Sequence, residues 1–482
     1  MKKNLLNTII LFFLCASVLL LIYTHYKSYF IFENKRFSNY IIYYIFTSSG
    51  ILFFSIILFL KDAFKANIIL LLSTFIFIGY LSEVFLITFQ KTDISDIDKN
   101  KEIRLKRAKL IKEKYNIDVE ARSPLEFQRD KKKDGIDLSL LITPYRMIHT
   151  EGITNFSWEE DNAQPKRFFP LSGRSNSLTV GGLETGKYNI YKTDRYGFNN
   201  PDEEWDNKTD IVVIGDSAIH AAYLPWENGW AGNIKKLTNK SSLSLGIGNN
   251  GPIINLGTLK EYAKEIKPKI VMWVYVEDND LLELKSEIHS KILSQYLNKN
   301  FTQNLFKNQN LINKNYDLFV RHEMKGVGGS LNQSAFNIED QNRNKIVSFL
   351  KMIELRNFLF RDIMSILQGR VTKNDLENLK KVIIEAKETT ENFGGKFYFV
   401  YLPATTRWVD FDYPLKKNNY FRENVLEIAN NANLDIIDLW ELYFRDLKDP
   451  LSSLSFRMHS HYNQKTLENL TKILVEFINK NN

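Results

Sequence analysis

The apolar positions of this chain fall into two regimes. From about Leu5 to Tyr23, Tyr40 to Leu60 and Asn67 to Phe89 they form three nearly unbroken runs. Each has the roughly 20 residues that a helix needs to cross a bilayer core. Charges gather at their ends, at Lys2 and Lys3, Lys35 and Arg36, Lys61 and Lys65, and Lys91. Glu83, inside the third run, reads as a helix-end residue facing neighbouring helices or headgroups, not as a proton relay. The first run is long for a signal peptide and no small-x-small cleavage site follows it. Residues 1–91 are therefore expected to be a membrane region with three transmembrane helices, and the lipid bilayer is a partner.

Beyond residue 91 the periods shorten. Residues 92–205 begin with a charged connecting helix, in which Ile103, Leu105, Leu110, Ile111 and Tyr115 recur at roughly helical spacing. A small strand-rich lead-in follows and ends in the turn-rich stretch Thr193 to Pro201, whose expected role is structural. From residue 206 to the end, short β-branched runs alternate with amphipathic ones. The strands are expected at Ile211–Ile214, Ser242–Ile247, Lys269–Val276, Lys396–Pro403 and Leu434–Leu439. Strands alternating with helices predict an α/β fold, a flavodoxin-like parallel sheet covered on both faces. Residues 283–368 read as a helical insertion without the long apolar face of a lipid lid.

Composition narrows the function classes. At 482 residues, two or three units are expected. The net charge is +8, but acids and bases are interspersed, with no basic stripe among aromatics for nucleic acid. Cys15 is the single cysteine, which excludes an intrachain disulfide and a thiolate metal cluster. His459 and His461 lie close in sequence, without a convincing set of further ligands, so neither a metal nor a cofactor is expected.

The candidate chemistry sits at strand ends, where ligands of parallel sheets bind. The run Ile211-Val212-Val213-Ile214 stops at Gly215, and Asp216-Ser217 precedes a helical start. A Ser at such a turn is held exposed, beside amides that steady a developing anion. Its own N–H, an N–H at Gly248 or Asn249, and the side-chain amide of Asn279 form a candidate oxyanion hole. His461, at the opening of the last helix, is the candidate base.

Together these residues resemble the SGNH (GDSL-like) hydrolase superfamily. Its blocks correspond here to Gly215-Asp216-Ser217, the loop from Gly246 to Gly251, Glu277-Asp278-Asn279-Asp280, and His461. The resemblance covers about Asn199 to the C-terminus. The wider pattern is similar to membrane-anchored bacterial members, with a stretch like Tyr196-Gly197-Phe198-Asn199-Asn200-Pro201 before the nucleophile. The superfamily carries an Asp three or two residues before the His; here those positions hold Met458 and His459. Asp449, the nearest upstream acid, and Asp438, at the end of the fifth strand, are the candidate orienting acids. The alternative is a Ser–His dyad.

The resemblance implies a membrane-anchored serine esterase or O-acyltransferase. It would act on O-acetyl groups of a cell-surface glycan, and a transferase would need a membrane partner to supply the acyl donor. The alternative is a weak or inactive module of the same fold that binds a glycan or a membrane partner. A bilayer lipase is a third reading. Counting basic residues places the C-terminal region in the cytoplasm, but long domains translocate largely regardless of charge. The resemblance implies the opposite side of a bacterial inner membrane.

Overall fold

The computed structural model describes residues 3–31, 37–89, 96–148, 168–326, 371–408, 421–458 and 461–481, with a few positions between 349 and 359. His459 and much of the insertion lie outside these residues. The chain divides into two units, residues 1–94 with 343–370, and residues 95–342 with 371–482.

The first unit holds three apolar helices, α1 (Lys3–His25), α2 (Phe37–Ile57) and α3 (Asp62–Phe89). All three are long and apolar enough to cross a membrane. Leu6 and Ile10 of α1 pack with Ile57 of α2 and Ile69 of α3. Lys65 is buried and donates to Asn7, which satisfies its ammonium beside apolar surface. Large side chains such as Phe12, Phe46 and Leu70 face outward, the inverse of a water-soluble surface and suited to lipid. Glu83 does face a neighbouring element. It is fully buried and accepts the backbone N–H of Leu355 at 2.7 Å. Tyr80 donates to the Leu350 carbonyl at 3.1 Å. The stretch 343–370 thus groups with the apolar helices and not with the α/β unit, contrary to its expected place in the insertion. Leu350, Phe358 and Leu359 are also exposed apolar residues, so this stretch carries an apolar surface that was not expected of the insertion.

The second unit is built on a five-stranded sheet of β4 (Ile211–Ile214), β5 (Ser242–Ser244), β6 (Ile270–Val276), β7 (Lys396–Leu402) and β8 (Asp435–Asp438). The spatial order is β5-β4-β6-β7-β8 and every pairing is parallel. That is the flavodoxin-like order, 2-1-3-4-5 in sequence numbering of the five strands. Its alternation feeds two cores. Val212, Ile214, Val271, Trp273 and Tyr275 face one side, while Ile211, Val213, Met272 and Val274 face the other. Both faces are covered, so β6 is buried at all seven positions. Burying each Val or Ile contributes about 1.5–3 kcal/mol, so the central strands anchor the site.

A second, three-stranded sheet precedes this one. β1 (Ser139–Leu140) pairs parallel with β2 (Leu178–Val180), which forms an antiparallel hairpin with β3 (Ile190–Lys192). The segment before the large sheet therefore carries three short strands. α4 (Asp96–Tyr115) and α5 (Pro124–Lys133) come before it, the latter opened by a Ser123–Glu126 capping box.

The stretch from Thr193 to Pro201 is organised by Asp194, which is fully buried. One carboxylate oxygen accepts the N–H groups of Tyr196 and Phe198. The other accepts from the Asn200 amide and the Trp205 indole. Asn200 in turn pairs with the backbone of Ser244 in β5. Burial raises the Asp194 carboxyl to about 6, despite these four donors. Replacing Asp194 by Ala would leave the donors buried and unpaired, at a cost of about 3 kcal/mol or more. Thermal unfolding of the variant should show a clearly lowered midpoint. An unchanged midpoint would show that the turn does not depend on this carboxylate.

Candidate active site

β4 ends at Gly215 because nothing larger fits. A Cβ there would lie 2.5 Å from Ile219 Cγ1 and 2.9 Å from the Val274 carbonyl. Asp216 then caps α6 (Ser217–His220), accepting the Ala218 N–H at 2.8 Å. Ser217 is the first helical residue, so its N–H has no intrahelical acceptor. The helix lasts one turn, shorter than its apolar pattern suggests. Ala221 adopts a left-handed conformation and closes it.

What arrests the helix is the β2–β3 hairpin. Its loop lies against the segment after α6: Gly182 N–H bonds the Ala222 carbonyl at 3.1 Å. The Asn189 amide bonds the carbonyls of Ala222 and Leu224. A Cβ on Gly181 would come within 2.0 Å of the Ala222 carbonyl, so glycine is required for this approach. The loop carries Glu184 toward the last block of the chain. Glu184 Oε1 lies 2.5 Å from His461 Nδ1.

His461 is set from three sides. Its ring stacks on Tyr223, with centroids 5.1 Å apart and planes at 13°. The Tyr223 hydroxyl donates to the Tyr462 carbonyl at 2.6 Å, and the Tyr462 hydroxyl donates to the Pro403 carbonyl. Asn463 accepts the Thr466 N–H and so caps the last helix, Gln464–Asn481. The block therefore opens that helix, as its sequence suggests. Burial pushes the imidazole pKa down, but the Glu184 hydrogen bond and charge, helped by Asp216 and Asp278, outweigh it and leave it raised. For Glu184 burial pushes up, and the His461 hydrogen bond and charge bring the net shift below the usual range. The two shifts agree on an ionic pair. With Nδ1 engaged by the carboxylate, a proton exchanged with Ser217 would pass through Nε2.

The carboxylate beside His461 is therefore Glu184, and neither candidate from the sequence occupies that place. Asp449 pairs with Arg457 at 2.6 Å on the surface. Asp438 pairs with Arg422 and accepts the Trp440 N–H.

The oxyanion candidates divide. Asn279 lines the same cavity as Ser217, Glu184 and His461, and its amide donates to Glu283 at 2.8 Å and also serves Asp216. Gly248 lies beside Ser217, but its N–H is spent on His220 Nδ1 at 3.3 Å. That bond makes Nδ1 an acceptor, so Nε2–H donates to the Tyr191 hydroxyl, 2.9 Å away. His220 is fully buried and held neutral by burial, its pKa pushed down to about 3. Asn249 takes the left-handed φ of +60° that Asn tolerates, and its amide reaches Glu283 at 3.3 Å. Glu283 thus joins both asparagines. It is buried, and burial together with the Asp216 and Glu287 charges raises it well above the carboxylate range.

The acids of the third block are committed to structure. Glu277 accepts from Tyr401, the Ala404 N–H and Arg407. Asp278 accepts from Thr405 and Thr406. The turn after β6 is thereby pinned to the loop after β7. Ser217 follows β4 and Asn279 follows β6, the neighbouring strands at which the strand order reverses and ligands of such sheets bind.

No family model matches the chain, and no curated protein does. Among solved structures, it is similar to a psychrotrophic esterase, EstA, from Pseudoalteromonas sp., inhibited by monoethylphosphonate. The identity is 10%, the match covers 57% of this chain and all of that one, and the TM-score is 0.30. A likeness at that score decides nothing about activity, so the chemistry rests on this chain's own residues.

Proposed function

We propose that this chain is a membrane-anchored serine ester hydrolase or O-acyltransferase. The observation that carries the proposal is the His461–Glu184 pair, set in one cavity with Ser217. His461 takes the Ser217 proton, Oγ bonds the ester carbonyl carbon, and the leaving alcohol receives the proton from His461. Water or an acceptor hydroxyl then releases the acyl group by the reverse sequence. Glu184 holds the imidazole in one tautomer and supports the imidazolium. The Ser217 N–H would be the first oxyanion donor, and the Asn279 amide, which lines the same cavity, would join it by giving up its contact with Asp216 or Glu283. A carboxylate that fixes the tautomer of a histidine sharing a cavity with a strand-end serine favours the enzyme over a module that only binds its ligand. On this reading the second unit faces the extracytoplasmic side of a bacterial inner membrane.

The test is covalent labelling of the full-length protein in detergent with a fluorophosphonate, read by intact mass. One adduct is expected, on Ser217, absent in Ser217→Ala and strongly slowed in His461→Ala. A folded wild-type protein that takes no adduct would refute the serine mechanism.

A further inference from the structure

The cavity that holds Ser217 is larger and more apolar than an acetyl ester needs. Its volume is about 650 Å³, within the roughly 300–1,000 Å³ that hold a drug-sized ligand. Its apolar lining includes Ile111, Val119, Leu183, Leu282, Val371 and Phe456. An acetyl group would leave most of this surface facing nothing.

Besides His461, two cations line the same cavity, Arg104 and Arg107; of its carboxylates, Glu184 is held by His461, Glu277 and Asp278 by the loop after β7, and Asp216 caps α6. Together with Ile111 the two arginines occupy positions i, i+3 and i+7 of α4, one face of that helix. Arg104 is engaged within the protein: its Nε donates to the Ala121 carbonyl and its guanidinium lies 3.6 Å from Glu126. Glu120, on the same wall, is paired with Arg122. Arg107 is half-buried, and it pairs with no carboxylate among the described residues. A guanidinium at the edge of an apolar cavity suits a phosphate or carboxylate that is joined to an apolar chain.

We infer that the ester opened by Ser217 belongs to an anionic acyl lipid, with its acyl chain along the apolar wall and its anionic headgroup at Arg107. This rests on the serine-ester reading above and replaces the acetyl group implied by the resemblance with a longer chain. The acyl carbon passes from the lipid's ester oxygen to Ser217 Oγ, and the Oγ proton passes through His461 to the departing hydroxyl. Each buried methylene adds about fourfold to binding, so discrimination against acetyl should be large.

The test uses the full-length protein in mixed micelles. Hydrolysis of p-nitrophenyl octanoate should exceed that of the acetate by about a hundredfold or more in kcat/KM. The second measurement compares a monoacyl glycerol 3-phosphate with the monoacylglycerol of the same chain, in wild type and Arg107→Gln. The preference for the anionic ester should fall about tenfold in the variant, a ratio that a merely structural arginine would not move. Acetate as the better ester, or an unchanged ratio, would overturn the inference while leaving the serine mechanism standing if phosphonate labels Ser217. Absence of that label would remove both.

Discussion

Glu184→Gln should lower kcat for any ester turned over by this protein by about four orders of magnitude. That is the scale of loss when the orienting carboxylate of a serine triad becomes an amide. The side chain keeps its size in the variant, and the loop that carries it is held by the Gly182 and Asn189 contacts. What is lost is the charge that fixes the His461 tautomer and supports its protonated form. A steady-state assay of purified wild type and variant checks this. A loss under tenfold would mean that His461 works without Glu184, as a dyad. Asp449→Asn and Asp438→Asn offer the contrast: their partners are Arg457 and Arg422, so neither should approach the Glu184 effect.

Ser217→Ala should cost more, about six orders of magnitude, because it removes the atom that carries the acyl group. Single-turnover measurements give the sharper form of this result: wild type should accumulate or pass through an acylated protein, and the variant none. Residual turnover at a hundredth of the wild-type rate would point to water attacking directly and would leave Ser217 a bystander.

Much of this architecture is legible in the sequence because it rests on local pattern. The β-branched run at Ile211–Ile214 and the long apolar run ending at Val276 have no polar face, which is what a strand buried on both sides requires. The three apolar runs near the N-terminus show the same directness. Ser217, Asn279 and His461 each sit at the end or the start of a regular element, so the chain pattern alone locates them.

Glu184 was not legible for a physical reason. It lies 277 residues from His461, at the tip of a hairpin whose sequence, Leu183-Glu184-Thr185-Gly186, reads as a solvent turn. The available signal was the pair Gly181-Gly182. Adjacent glycines in a strand end mark close approach of another backbone, here the segment after α6. Proximity along the chain pointed to Asp449 and Asp438 instead, and both satisfy arginines. The partner of the Gly248 N–H is hidden in the same way, since only the fold brings His220 within reach of it. The stretch 343–370 reads as part of one insertion, because sequence order hides that Glu83 and Tyr80 bind its backbone.

On the proposed mechanism the His461–Glu184 pair also sets the pH at which the serine becomes reactive. His461 must be neutral to accept a proton, and its pKa is raised above the ordinary 6.5 against burial by the charges of Glu184, Asp216 and Asp278. Reactivity should therefore fall as pH drops through that raised value. In Glu184→Gln the principal supporting charge is gone and burial gains weight, so the acid limb should move to lower pH even as the plateau falls. The most direct measurement is the pH dependence of the phosphonylation rate at Ser217 in wild type and Glu184→Gln. A lower plateau with the acid limb displaced downward would establish Glu184 as the acid of this site. Superimposable profiles would show that the carboxylate beside His461 plays no part in the chemistry.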